Sequence, residues 1–146
     1  MNNDNKSLIN SIDLILPPTR SMNVNVLVID DLLPNLGSFK GTFRRAANIF
    51  TATSKLDALN IVKNNNIDIV FCDYIMPEFN GADVLKAIVD LYPSIKRNIV
   101  TAYTDINIRK DISDKVIVDS VIYKPYDNNL ILDKIKFIEK QYICSK

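Results

Sequence analysis

Three short segments, far apart in the chain, each end an apolar strand-like run on a group that handles phosphate or a divalent cation. Asp30-Asp31 follows NVLVI, Asp73 follows IDIVFC, and Lys124-Pro125 follows VIVDSVIY. Two adjacent carboxylates repel unless a cation or hydrogen bonds offset them. Magnesium takes a few carboxylates and keeps several waters, so it suits such a pair. Asp73 opens DYIMPEFNG, in which Pro77 and Gly81 fix a turn into the next helix. A carboxylate held at that strand end can complete a metal site or act as a nucleophile. Lys124 offers a compact ammonium suited to phosphate, and its bond to Pro125 is a candidate for the cis form. Thr101, followed by small Ala102, could hydrogen-bond a phosphoryl oxygen. Each residue alone has a bland explanation: Asp31 capping a helix while Asp30 is solvated, a loop aspartate, a structural threonine, a surface lysine. Their joint order along the chain points to phosphoryl chemistry.

The elements that must bring these groups together alternate regularly from Asn25 onward. Asn25–Ile29 reads as a strand buried on both faces. Pro34 suits the first turn of a helix reaching about Arg45, whose Gly37 and Gly41 make it either locally weak or closely packed. Ile49–Ala52 is a second strand, and Leu56, Leu59, Ile61 and Val62 a second helix. Ile67–Cys72 is the third strand, followed by a helix over Gly81–Leu91 with Val84, Leu85, Ile88 and Leu91 at helical spacing. Asn98–Val100 is the fourth strand and Asp105–Ile112 a thinly apolar helix. Val116–Tyr123 is the fifth strand, and a last helix carries the stripe Ile131, Ile135, Ile138 and Tyr142. Five strand–helix alternations predict an α/β fold, a doubly wound parallel sheet with helices on both faces. The carboxyl ends of such strands share one edge, where ligands bind.

Composition narrows the function classes. At 146 residues, 47% apolar and 24% charged, the chain fits one globular domain with a short extension. A net charge of +1 gives no nucleic-acid footprint, and no apolar run is long enough for a membrane span. Cys72 and Cys144 read as reduced thiols of a cytoplasmic protein. There is no histidine, which removes any phosphohistidine relay within the chain, so a phosphoryl donor must be another molecule. Residues 1–23 form an extension, polar at first and then offering a short amphipathic turn through Leu8, Ile12 and Ile15. Met22 could serve as an alternative start.

VLVIDD, DIVFCDYIMPEFNGADVL, IVTAYTD and IYKPYD together resemble the receiver domain of two-component response regulators (CheY-like), over about residues 24–141 with 142–146 as a tail. The resemblance implies a five-stranded sheet of order 2-1-3-4-5 and an acceptor domain rather than a turnover enzyme. It implies Asp73 as phospho-acceptor, with Mg²⁺ held by Asp31, Asp73 and the main-chain carbonyl of Ile75, and by Asp30 largely through water. Lys124 would pair with Asp73 and then with the phosphoryl group, and Thr101 would swing toward it. The donor would be a sensor histidine kinase or phosphotransfer protein. The recipient of the signal would be a protein target, an output domain beyond this chain, or a second copy of the chain. One position departs from the family: three residues before Lys124 an aromatic ring is usual, whereas Val121 stands here. Tyr123 or Tyr103 could respond in its stead.

Three other readings compete with this one. A haloacid dehalogenase-type phosphatase needs a second aspartate two places after its nucleophile, where Leu32 and Ile75 stand. A flavodoxin-like carrier needs a phosphate loop after strand one, whereas DDLLPN puts two negative charges there. A pseudo-receiver used only for docking gains support from Val121 alone, since the signature residues are intact.

Overall fold

The computed structural model describes residues 23–144, so the expectations for the segment holding Leu8, Ile12 and Ile15 lie outside the described residues. Five strands and five helices alternate: β1 Asn25–Ile29, α1 Leu33–Phe43, β2 Asn48–Ala52, α2 Lys55–Asn64, β3 Ile69–Asp73, α3 Gly81–Leu91, β4 Lys96–Thr101, α4 Ile106–Lys115, β5 Ser120–Tyr123 and α5 Asn128–Cys144. The sheet is wholly parallel with order β2-β1-β3-β4-β5, as expected. Its central strands are buried on both faces because helices cover both.

On one face Val26, Val28, Ile69, Phe71 and Ile122 pack against Leu36, Phe39 and Phe43 of α1 and the Ile131, Ile135 and Ile138 stripe of α5. On the other, Leu27, Ile29, Val70, Cys72 and Ile99 meet α2, α3 and α4. These last three helices contribute unequally. Helix α3 buries Gly81, Ala82, Val84, Leu85 and Ile88, whereas Ile112 is the one buried residue of α4.

Several boundaries move for local reasons. Strand β5 starts at Ser120 rather than Val116, because Val116 caps α4 with its N–H on the Ile112 carbonyl. Strand β3 starts at Ile69, since Ile67 donates its N–H to the Asn65 carbonyl of the preceding turn. Strand β4 reaches back to Lys96, which lies opposite Ile69. Leu56 and Leu91 sit at helical spacing but are 71% and 66% exposed, and Ala58 and Val62 anchor α2 instead. Nothing lies within 4 Å of a Cβ built on Gly37 or Gly41, so α1 is locally weak there rather than closely packed.

Candidate functional site

The register of the sheet determines which strand ends meet. Ile29 lies opposite Cys72 on the adjoining strands, so Asp30 and Asp73 emerge side by side. Asp73 lies opposite Val100 and Thr101 opposite Tyr123, which brings Thr101 and Lys124 to the same edge. Backbone bonds hold these ends to one another: Asp30 N–H to Ala52, Tyr74 N–H to Val100 and Lys124 N–H to Thr101. Carboxylate oxygens of Asp30, Asp31 and Asp73 all lie within 4.8 Å of one another. The Lys124 ammonium stands 3.5 Å from Asp73 Oδ2 and 3.9 Å from Asp30 Oδ2. Both carboxylates are largely out of solvent, so these distances carry more electrostatic weight than they would on an open surface.

Each carboxylate has its own surroundings. Asp30 is buried; its Oδ1 accepts the Leu32 N–H at 3.0 Å and its Oδ2 accepts from the Asn35 amide at 3.0 Å. The bland reading of the aspartate pair fails on both counts. Asp30 is not solvated, and Asp31 does not cap α1, whose N-cap is Leu32 with no side-chain cap bond. Pro34 does occupy the first turn. For Asp73, burial raises the carboxyl above its usual range, the Lys124 charge opposes that, Asp30 adds to it, and the Ile75 N–H lowers it again. Cys72, just before it, is held protonated by burial and by the neighbouring aspartates.

Gly81 is the closest fit in the site. A Cβ there would come within 2.5 Å of the Asp73 carbonyl oxygen and 3.0 Å of Tyr74 Cα. The Gly81 N–H donates to the Tyr74 carbonyl at 2.7 Å. The turn DYIMPEFNG therefore closes tightly on the strand end, with Asn80 capping α3 through the Asp83 N–H.

Of the remaining sequence candidates, all but Val121 lie at this edge or in the loops beside it. Thr101 is buried, and its hydroxyl accepts the Tyr103 N–H at 3.2 Å; no hydrogen bond joins it to Asp73 among the described residues. Ala102 and Tyr103 are exposed in the loop after β4, and Pro125 follows Lys124 through a cis bond. Val121 packs half-buried against the α2–α4 side of the core. Tyr123, two residues on, is half-buried. Beside Lys124 a cleft of about 420 Å³ opens, lined in part by Phe39, Phe71 and Tyr126.

Two sets of residues had no sequence signal. Asn35 holds Asp30 from five positions away, on a helix whose start was legible but whose polar grip on the strand end was not. Tyr74, Asn80, Asp83, Asp111 and Lys115 form a polar cluster between the end of β3, α3 and α4. The Tyr74 hydroxyl donates to Asp111 Oδ2 at 2.5 Å across 37 residues of sequence, a spacing no short motif records.

An all-parallel 2-1-3-4-5 sheet with an aspartate cluster and a lysine on its carboxyl edge defines a CheY-like signalling domain. Solved structures agree on the fold: a CheY-like response regulator receiver domain protein from Methanospirillum hungatei matches with a TM-score of 0.73 at 22% identity, covering 85% of this chain and 99% of that one. The chain belongs to the response regulator receiver domain family, whose profile matches residues 26–136. Among curated relatives, the transcriptional regulatory protein ZraR of Escherichia coli is 32% identical over 106 residues, 72% of this chain and 24% of that protein. This chain thus spans about a quarter of that regulator's length. Sporulation initiation phosphotransferase F of Bacillus subtilis is 28% identical over 116 residues, 79% of this chain and 93% of that protein. Receiver domains are phospho-acceptor signalling modules that exchange with a histidine kinase or phosphotransfer partner. The acidic cluster of this chain is the kind of site at which they bind Mg²⁺. No helix among the described residues is long and apolar enough to cross a membrane.

Proposed function

We propose that Asp73 accepts a phosphoryl group from a phosphohistidine on a partner protein and that the chain then changes conformation to signal. The observation carrying this reading is the convergence of three carboxylates within 4.8 Å of one another, with the Lys124 ammonium 3.5 Å from one of them. Oxygen donors at that spacing match a hard divalent cation. Asp31, Asp73 and the Ile75 carbonyl would hold it directly. Asp30, its oxygens already engaged by Leu32 and Asn35, would act through water. Bound Mg²⁺ would neutralise charge on the transferring group.

The protein's own groups do the rest by position and charge, which is most of what phosphoryl transfer requires. An Asp73 oxygen attacks phosphorus as the bond to the donor's imidazole nitrogen breaks, and the imidazole leaves with the electron pair. Lys124 exchanges its pairing with the carboxylate for one with the new phosphoryl oxygens. The product adds roughly two negative charges beside Asp30. Thr101 can then donate its hydroxyl to a phosphoryl oxygen by turning from Tyr103, so the loop after β4 must shift. Phosphorylation in this scheme biases a two-state equilibrium by the contacts it adds to one state.

The absence of histidine in this chain places the donor on another molecule; its phosphohistidine class is the one the receiver family uses, and a cytoplasmic setting is part of the same reading. The recipient is a protein surface, whether on a separate target, a second copy or an output domain. Incubation with acetyl phosphate and Mg²⁺ tests the assignment by intact mass. The parent chain gains one phosphoryl group and Asp73→Asn gains none. A parent that binds Mg²⁺ but gains no mass would overturn the acceptor assignment and favour docking without phosphorylation.

A further inference from the structure

We infer that the hydrogen bond from Tyr74 to Asp111 is the tether through which the state of Asp73 sets the position of α4. The inference rests on the acceptor reading above and adds residues that reading does not use. Tyr74 directly follows Asp73, and its backbone is fixed on both sides: its N–H donates to Val100 at 3.1 Å, and its carbonyl accepts from Gly81 at 2.7 Å. With Gly81 pressed against the Asp73 carbonyl, the peptide joining the two residues has little room to absorb movement. A change at the Asp73 side chain therefore carries into Tyr74 rather than dissipating in a loop.

The Tyr74 ring is buried, 8% exposed, and its hydroxyl ends on Asp111 of α4. Asp111 also receives Asn80, the cap of α3, at 3.2 Å and Lys115 at 3.0 Å, and Lys115 reaches across to Asp83 of α3 at 3.0 Å. The apolar hold on helix α4 is small: Ile112 is its one buried residue, with Ile108 partly buried against the core and Val116 buried at its cap. Exposed ion pairs such as Lys115 with Asp83 contribute little on their own. The bond at Asp111 comes from a residue that is itself largely buried, and charge-assisted bonds are the stronger kind. It is also the one that ends on the residue next to the acceptor. Val121, lacking a ring and packed into the core, leaves the side-chain route through β5 without its usual moving part. Tyr74 is thus a positioning residue: its hydroxyl is engaged on α4, away from the three clustered carboxylates.

The experiment records amide NMR shifts of the full chain with Mg²⁺, before and after adding beryllofluoride as a phosphoryl mimic. In the parent chain, amides beside the site (Asp31, Ile75, Ala102) and along Ile106–Lys115 both shift. In Tyr74→Phe, which removes only the hydroxyl, the site amides still shift and the α4 response is lost. Asp111→Ala, which removes the acceptor rather than the donor, gives the same loss and decides the question should Tyr74→Phe fold poorly. Lys115→Ala leaves the tether intact and keeps the response. An α4 shift that persists in both Tyr74→Phe and Asp111→Ala would overturn the inference, as would a parent whose site shifts while α4 stays still. A parent whose site amides do not respond at all would instead refute the acceptor reading.

Discussion

Helices α3 and α4 are neighbours on one face of the sheet, yet they are held there by different forces. Helix α3 sinks five residues into the core, Leu85 and Ile88 fully. Each buried side chain of that size contributes about 1.5–3 kcal/mol. Helix α4 sinks one, with Ile108 and the cap residue Val116 adding a little apolar packing, and is tied further by the hydrogen bonds and ion pairs centred on Asp111. Those contacts sit partly in water, where screening leaves each of them weak. The difference separates two jobs that a receiver must perform at once. The acceptor carboxylate needs a frame that does not move, and α3 belongs to that frame. The signal needs an element with a second position close in free energy, and α4 is cheap to displace.

The largest test of the contrast truncates the frame. Ile88→Ala should lower stability to urea by about 2–5 kcal/mol, the usual cost of a buried isoleucine plus the cavity it leaves. A loss under about 1 kcal/mol would mean that α3 is not anchored by its core face. Next comes the point where frame and site touch. Gly81→Ala adds a methyl that would sit 2.5 Å from the Asp73 carbonyl, a backbone atom that cannot rotate away. Overpacking of this kind costs about 1–3 kcal/mol, and it should weaken Mg²⁺ binding measured by titration calorimetry. Unchanged stability and unchanged Mg²⁺ affinity would show that the turn is slacker than its distances imply.

The polar half of the contrast is sharpened by pH. The Tyr74 hydroxyl holds the Asp111 carboxyl below its ordinary value near 3.8, with Lys115 and Asn80 helping and burial opposing. A carboxyl depressed on folding stabilises the native state fully above its unfolded value, and that contribution disappears as pH falls through the lower native value. Asp111→Ala should therefore lower stability near neutral pH, by less than about 1 kcal/mol because water screens this largely exposed carboxylate. The gap in urea midpoint between parent and variant should close on acidification below about pH 4. A gap that persists unchanged in acid would assign the cost to packing rather than to charge.

What the sequence made legible follows the same division. The strands of the frame were plain because burial on both faces leaves near-continuous apolar runs, as in Asn25–Ile29 and Ile69–Cys72. The site was legible because parallel topology converts three strand ends into one location, and Asp30, Asp31, Asp73 and Lys124 do meet there. Helix limits were less legible where one residue served two elements. Val116 looked like strand because it is β-branched and precedes an apolar run, but its N–H continues the helix ladder to the Ile112 carbonyl and makes it the cap of α4. Leu56 and Leu91 fit helical spacing while facing solvent, since spacing alone does not say where the core ends. The network around Asp111 was invisible for a deeper reason: hydrogen bonds between side chains 31 and 37 residues apart leave no periodicity to read.

The smallest effect concerns α1, which separates intrinsic helix preference from anchoring. Gly37 and Gly41 weaken this helix, each by about 1 kcal/mol relative to alanine, yet Leu36, Phe39 and Phe43 fix it to the core. Neither glycine has a positive φ, and a methyl at either would meet nothing within 4 Å. Gly37→Ala and Gly41→Ala should each raise stability by about 0.4–1 kcal/mol, chiefly by restricting the unfolded chain. Mg²⁺ affinity and phosphoryl gain should stay unchanged, because Asn35, the α1 residue that grips Asp30, keeps its place. A rise in stability accompanied by altered Mg²⁺ binding would show that the looseness of α1 reaches the acidic cluster, and α1 would then belong with α4 rather than with the frame.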